Sequence, residues 1–242
     1  DLNSHQPVGP PLPGGTNITS LDFSHDGKLL AMGTCQLESV GFCREGAVYL
    51  WNTDTLQQVG TPFQGYSSAV SSLAFSRDDR LLASGSCAQI ELGETTCTRG
   101  EVRLWDISTQ SQIGPPLSGH AGDVNGVAFS ADDQTLASSS GEAIILWDIS
   151  SRQMVGRLPS GPGVTLLSLV YSPDGSTLAT GSLEFPPILW KATPQSWMAG
   201  ACSMANRNLS LTEWQSFFGS KPYHSTCPGL PPGDGAPTSV AP

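Results

Sequence analysis

The sequence predicts an all-β fold built from four small antiparallel sheets that repeat along the chain. A strand phrase ending in an aromatic residue and a serine recurs four times: SLDFSHDG (20–27), SLAFSRDD (72–79), GVAFSADD (126–133) and SLVYSPDG (168–175). Each copy leads to an alternating strand that ends in tryptophan, at Trp51, Trp105, Trp147 and Trp190, spaced by 54, 42 and 43 residues. Composition agrees. The 242 residues include 27 glycines and 19 prolines but only 13% charged side chains. That mixture suits many short strands joined by tight turns and does not suit long helices.

Within a unit, the aromatic phrase is the first strand. Its HDG, RDD, ADD or PDG supplies a turn in which a short carboxylate side chain can bond its own backbone. KLLAMG, RLLASG, QTLASS and STLATG then read as second strands, and AVYLW, EVRLW, AIILW and PPILW as third strands. Outer strands follow three of the tryptophans, at 56–63, 110–117 and 152–159. The period-2 alternation is that of half-buried strands. The tryptophans form the repeat core with Phe23, Phe75, Phe129 and Tyr171, which are expected to point between neighbouring sheets. A lone four-stranded sheet cannot bury both faces, so the units are expected to stack.

These repeats resemble the WD40 family. Its phrases stand here as Gly-His at 119–120, AFSADD at 128–133, and Trp-Asp at 105–106 and 147–148, with Trp-Asn at 51–52 and Trp-Lys at 190–191 as weaker copies. The resemblance spans about residues 3–192. It implies β-propeller blades serving as a non-enzymatic protein-interaction or sensor scaffold. The WD40-like region is 1–192, with units at about 15–65, 66–119, 120–162 and 163–192 and with 3–14 as an orphan outer strand. Gly-His occurs in one copy only, and Glu142 is the nearest counterpart of the family's acidic residue before the tryptophan strand. The His–Asp–Ser/Thr–Trp network of the family is therefore expected to be incomplete. Four repeats leave open a four-bladed ring, a ring completed by a second chain, an open half-propeller, or a piece of a longer protein, the last being preferred.

The six cysteines fall into three pairs by position. Cys35 and Cys43 bracket one lengthened hairpin, and Cys87 and Cys97 bracket another at the same place in the second unit. Cys202 and Cys227 remain for the tail. Disulfides Cys35–Cys43, Cys87–Cys97 and Cys202–Cys227 are expected, and with them an oxidising compartment. Reduced buried thiols are the alternative. Zinc is disfavoured because the spacings lack the Cys-x2-Cys knuckle of structural sites.

From residue 193 the pattern changes. The segment 194–209 reads as one helix, and Ser210 with Glu213 as a capping box for a second. A helical capping tail is expected over 193–232, anchored by Trp197, Trp214 and Phe217, and a disordered Pro/Gly-rich end over 233–242. The run ACSMANRNLSLTEWQSFFGSKPYHSTCPGLP also resembles the closing segment of large bacterial multidomain proteins that combine a STAND-type NTPase with WD40 repeats. That resemblance implies a bacterial origin, an upstream region outside this chain, and a cytoplasmic setting. The cysteines favour an extracellular or cell-surface one.

No catalytic residues, metal site or cofactor is expected. The four histidines stand apart, the serines follow the strand repeat, and neither a nucleophile elbow nor a phosphate-binding loop is present. With 21 acidic and 11 basic residues, net charge −10, a nucleic-acid partner is excluded for want of a basic face. No apolar run is long enough to insert in a membrane. A protein partner or self-association through exposed blade edges is expected. Leu37, Val40, Phe42, Ile90 and Leu92, apolar residues in the two bracketed loops, are the candidate contacts. Alternatives are an extracellular structural protein assembling into dimers or filaments by strand exchange, and a propeller enzyme.

Overall fold

The structure, a computed structural model, describes residues 7, 9–13, 17–37, 43–91, 96–141, 143–160, 164–192, 202, 205, 207–218, 223, 225, 227 and 229–235. The chain divides into two units, Asp1–Leu189 and Trp190–Pro242.

Four antiparallel sheets make up the first unit. Sheet one holds β1 (Ile18–Phe23), β2 (Leu29–Thr34), β3 (Gln36–Leu37), β4 (Cys43–Asn52) and β5 (Phe63–Tyr66). Sheet two holds β6 (Val70–Phe75), β7 (Leu81–Ile90), β8 (Cys97–Asp106), β9 (Ser111–Gln112) and β10 (Leu117–His120). Sheet three holds β11 (Gly126–Phe129), β12 (Thr135–Ser139), β13 (Ala143–Asp148) and β14 (Gln153–Pro159); sheet four holds β15 (Leu166–Tyr171), β16 (Thr177–Ser182) and β17 (Ile188–Lys191), the last strand ending just beyond the unit boundary.

The turn between the first two strands of each sheet follows from its Ser-x-Asp sequence. Ser24 donates to Asp26 at 2.8 Å and accepts the Leu29 N–H at 2.8 Å, which closes the turn from inside. Ser76, Ser130 and Ser172 donate to Asp78, Asp132 and Asp174 in the same way. Outer strands depend on proline content. Residues 153–159 form one strand along β13, with a single register shift between Leu146 and Trp147. Gly114-Pro-Pro splits the outer strand of sheet two into β9 and β10, because proline has no N–H to give the ladder. Residues 9–13, in the expected orphan strand, are irregular.

Consecutive sheets pack through their first strands, β1 on β6, β6 on β11 and β11 on β15. The core lies between sheets. Ala31, Val48 and Leu50 meet Val70, Phe75 and Leu82 in one cluster, and Ala83, Val102 and Leu104 meet Val127, Phe129 and Leu136 in the next. Burying apolar area at about 25 cal/mol per Å² makes these seams the main stabilising contacts.

Two expectations are corrected. The sheets are not closed into a propeller, and Ile18, Leu21 and Phe23 of sheet one and Leu167, Val170 and Leu189 of sheet four are exposed. The tail, among the described residues, has one complete helix, α1 (Leu211–Phe218), instead of two, with Cys202 alone also helical. Toward the end of the first expected helix, the Asn208 side chain is used elsewhere. Its amide donates to the Cys227 and Leu230 carbonyls, and its carbonyl accepts the Cys227 N–H at 2.7 Å. Asparagine bonded in this way competes with helix. The capping box of α1 is formed: Glu213 accepts the Ser210 N–H at 2.7 Å and Ser210 accepts the Glu213 N–H at 3.2 Å.

Candidate interaction surfaces

Beyond apolar packing, two devices fasten one sheet to the next. The first is a carboxylate latch. Asp79, at φ 57°, accepts the N–H groups of His25 at 2.7 Å and Asp26 at 2.9 Å from the turn of the preceding sheet. Asp133, at φ 54°, accepts those of Arg77 at 2.8 Å and Asp78 at 3.0 Å. Glycine takes this position in the other two units, as Gly27 and Gly175.

The second device is a buried polar clamp between the outer strand of one unit and the tryptophan of the next. His120 bonds Ser138 at 2.7 Å and Ser140 at 2.9 Å, and Trp147 donates to Ser138 at 2.8 Å. Tyr66 takes the place of His120 one repeat earlier, sharing its hydroxyl with Ser84 at 2.7 Å and Trp105 at 2.8 Å. Arg103 lies over the Tyr66 ring at 4.7 Å and pairs with buried Glu101 at 2.8 Å. In the first unit Met32 replaces the clamp serine, and the buried Trp51 Nε1 has no hydrogen-bond partner. Burial pushes His120 down to about 4, with the charge of Arg157 acting in the same direction. A neutral imidazole already bonded on both nitrogens is a structural tie, not a proton-transfer group.

The lengthened hairpins are disulfide-clasped. Cys35–Cys43 and Cys87–Cys97 join paired strands with Cα atoms 5.5 and 5.8 Å apart, and Cys202–Cys227 spans 5.3 Å in the tail. A groove of about 780 Å³ lies at the base of the first hairpin, lined by Cys35, Gln36, Arg44, Glu45, Tyr49 and Gln64 among others.

The end faces are the largest departure from the repeat. Ile18 is 51% exposed, whereas its counterparts Val70, Val124 and Leu166 are at most 0% exposed. Leu21 is 58% exposed against 9, 5 and 9% for Leu73, Val127 and Leu169, and Phe23 is 58% exposed against 3 and 9% for Phe75 and Phe129. At the other end Leu189 is 71% exposed, while Leu50, Leu104 and Leu146 at the same repeat position are each 2% exposed. Val170 and Leu167, on β15 of the same sheet, are also exposed.

Residues 10–52, 56–106 and 111–148, more than half of the chain, match the family of the WD domain, G-beta repeat. The chain belongs to the WD40 family. Among curated proteins none matches it. The family is one of protein-interaction domains. Among the described residues of this WD40 chain no group of three or more His, Cys, Asp or Glu could hold a metal ion. The family assignment is consistent with a non-enzymatic domain. No helix among the described residues is long and apolar enough to cross a membrane.

Of the repeat-core residues, Trp105, Trp147, Phe75 and Phe129 are buried between sheets, Trp51 is buried on the face of sheet one that also holds Phe23, Tyr171 and Trp190 are half-buried, and Phe23 is exposed. Ile90 is half-buried at the end of β7. Val40, Phe42, Leu92 and Trp197, and the side chains of Leu37, Trp214 and Phe217, lie outside the described residues. Sequence reasoning missed the latch, assigning the turn carboxylates to bonds with their own backbone. It also missed the Tyr66 clamp with its Glu101–Arg103 pair. The alignment of Gln64-Gly-Tyr66 with Ser118-Gly-His120 was the available signal for Tyr66.

Proposed function

We propose that this WD40 chain is a protein-interaction module whose principal contact surfaces are the exposed apolar residues at the two ends of its sheet series. The observation that carries the reading is the contrast between repeat-equivalent residues. Ile18, Leu21 and Phe23 at one end and Leu189 at the other are exposed where every aligned copy among the sheets next to them is buried. A contiguous apolar face in water marks a docking surface.

A second contact region is supported by the clasped hairpins. Rigid loops beside a polar groove suit recognition of an extended segment, because a closed loop loses little further freedom on binding. Leu37, Val40, Phe42, Ile90 and Leu92 would supply its apolar contacts. Three disulfides support an oxidising location.

Site-directed photocrosslinking on the full chain tests the principal reading. A photoreactive side chain at Leu21 or Leu189 is expected to give discrete protein adducts that weaken in Phe23→Asp or Val170→Asp backgrounds respectively. The same probe at Asp54, an exposed turn residue, is expected to give none. Equal labelling from Asp54, or no adducts from either face, would overturn the reading.

A further inference from the structure

We infer that the occupant of each end face is a second copy of this chain, with sheet four of one copy seated on sheet one of the next. The inference rests on reading the end faces as contact surfaces, and names their partner.

The seam between consecutive sheets is built three times within the chain, and each seam has two halves. One half is the face that a sheet turns toward its predecessor: Val70, Leu73 and Phe75 in sheet two, and Leu166, Leu169 and Tyr171 in sheet four. Ile18, Leu21 and Phe23 are that same half in sheet one, and they are exposed. The other half is the face turned toward the successor, where Leu50, Leu104 and Leu146 are buried. Leu189 is its copy in sheet four, and it is exposed. The exposed residues at the two ends therefore belong to complementary halves of one seam, not to two copies of the same half. A contact between them is heterologous, each copy giving one face and receiving the other.

Polar groups along the seam agree. Ser20 donates to the Val70 carbonyl at 2.7 Å, and Ser72 to the Val124 carbonyl at 3.3 Å. Ser168 occupies this position in sheet four, and the matching acceptor position is the Ile18 carbonyl at the open end of sheet one. The latch is also matched at the two ends. The sheet-four turn has Pro173 where the internal turns have His25, Arg77 and Ala131, so it lacks the first N–H that a latch carboxylate takes. Sheet one correspondingly has Gly27 in place of the latch aspartate, with nothing within 4 Å of where a Cβ would stand. The same pairing without a carboxylate occurs inside the chain, where a Cβ on Gly175 would stand 3.0 Å from that of Ala131. Gly27 opposite Pro173 would repeat it.

Sedimentation velocity on the purified full chain over a wide concentration range, with one variant for each face, tests the inference. Wild type is expected to gain mass with concentration. Phe23→Asp and Leu189→Asp, both at exposed positions, are each expected to stay monomeric with an unchanged unfolding midpoint. An equimolar mixture is expected to form a dimer and nothing larger, since Phe23→Asp keeps a sound sheet-four face and Leu189→Asp a sound sheet-one face. Leu21→Asp and Val170→Asp replace any variant that fails to fold. A wild type monomeric throughout, variants that still self-associate, or a mixture that stays monomeric would each overturn the inference. If crosslinks from Leu21 and Leu189 to other proteins persisted beside a monomeric wild type, the interaction reading would stand and only the choice of partner would fall.

Discussion

The Asp79 carboxylate reaches across a sheet boundary to the His25 backbone, accepting its N–H at 2.7 Å while the neighbouring Asp26 N–H fills the second oxygen at 2.9 Å. One side chain thereby fixes the turn of sheet one against the turn of sheet two. Asp79→Gly keeps the positive φ without strain, as Gly27 and Gly175 do naturally, and removes only the latch. It is expected to cost about 1–2 kcal/mol in urea unfolding, the usual worth of charge-assisted hydrogen bonds at a partly exposed site. An effect near zero would show that apolar packing alone aligns the sheets.

The three well-buried tryptophans differ in one polar atom. Trp105 and Trp147 donate their indole N–H, while that of Trp51 is unpaired because Met32 stands where the other units have Ser84 and Ser138. Trp51→Phe is therefore expected to destabilise less than Trp147→Phe, by about 1–2 kcal/mol. Chemical denaturation of the two variants side by side checks the order.

His120 makes stability depend on pH. Its folded value is lowered to about 4 from 6.5, so the folded state resists a proton that the unfolded chain accepts. Above 6.5 neither state is protonated and His120 adds no slope. As pH falls from 6.5 toward 4 the unfolded chain takes up the proton and stability drops, by an amount on the order of 3 kcal/mol if burial is complete. Unfolding free energies measured across this window are expected to decline in wild type more steeply than in His120→Phe, the difference isolating this residue from the carboxylates that titrate nearby.

Cys87–Cys97 closes a loop with a sequence separation of 10 residues at the far end of β7 and β8. Replacing both cysteines by serine is expected to lower stability by about 2–3 kcal/mol in the chain-entropy account. Amide exchange should accelerate at Gln89 and Thr98 while β11 and β12 keep their protection. Uniform acceleration would mean that the clasp supports the whole unit.

Much of this architecture is legible in the sequence because it repeats. Ser-x-Asp turns, tryptophan-ended strands and the bracketing cysteines each announce themselves by recurring at one place in the unit, and Ser210 with Glu213 marks α1 by its spacing alone. The latch is less legible, since Asp78 and Asp79 look alike as turn residues. Only the fold shows that Asp78 closes its own turn while Asp79 leaves it. Closure into a ring is not a local property. Phe23 and Phe75 sit in nearly identical phrases, and what separates them is whether another sheet precedes theirs. The split of β9 from β10 was readable in Gly114-Pro-Pro, whereas the bonding of Asn208 to the 227–231 segment was not, because its partners lie about twenty residues away.

The central claim is that the exposed faces of sheets one and four meet each other. Methyl NMR of the full chain during dilution tests it most directly. The account predicts that Ile18, Leu21 and Leu189 methyl signals shift together along one binding curve, while those of Leu136 and Ile144, buried within sheet three, stay fixed. Shifts confined to one face, or none at any concentration, would contradict it.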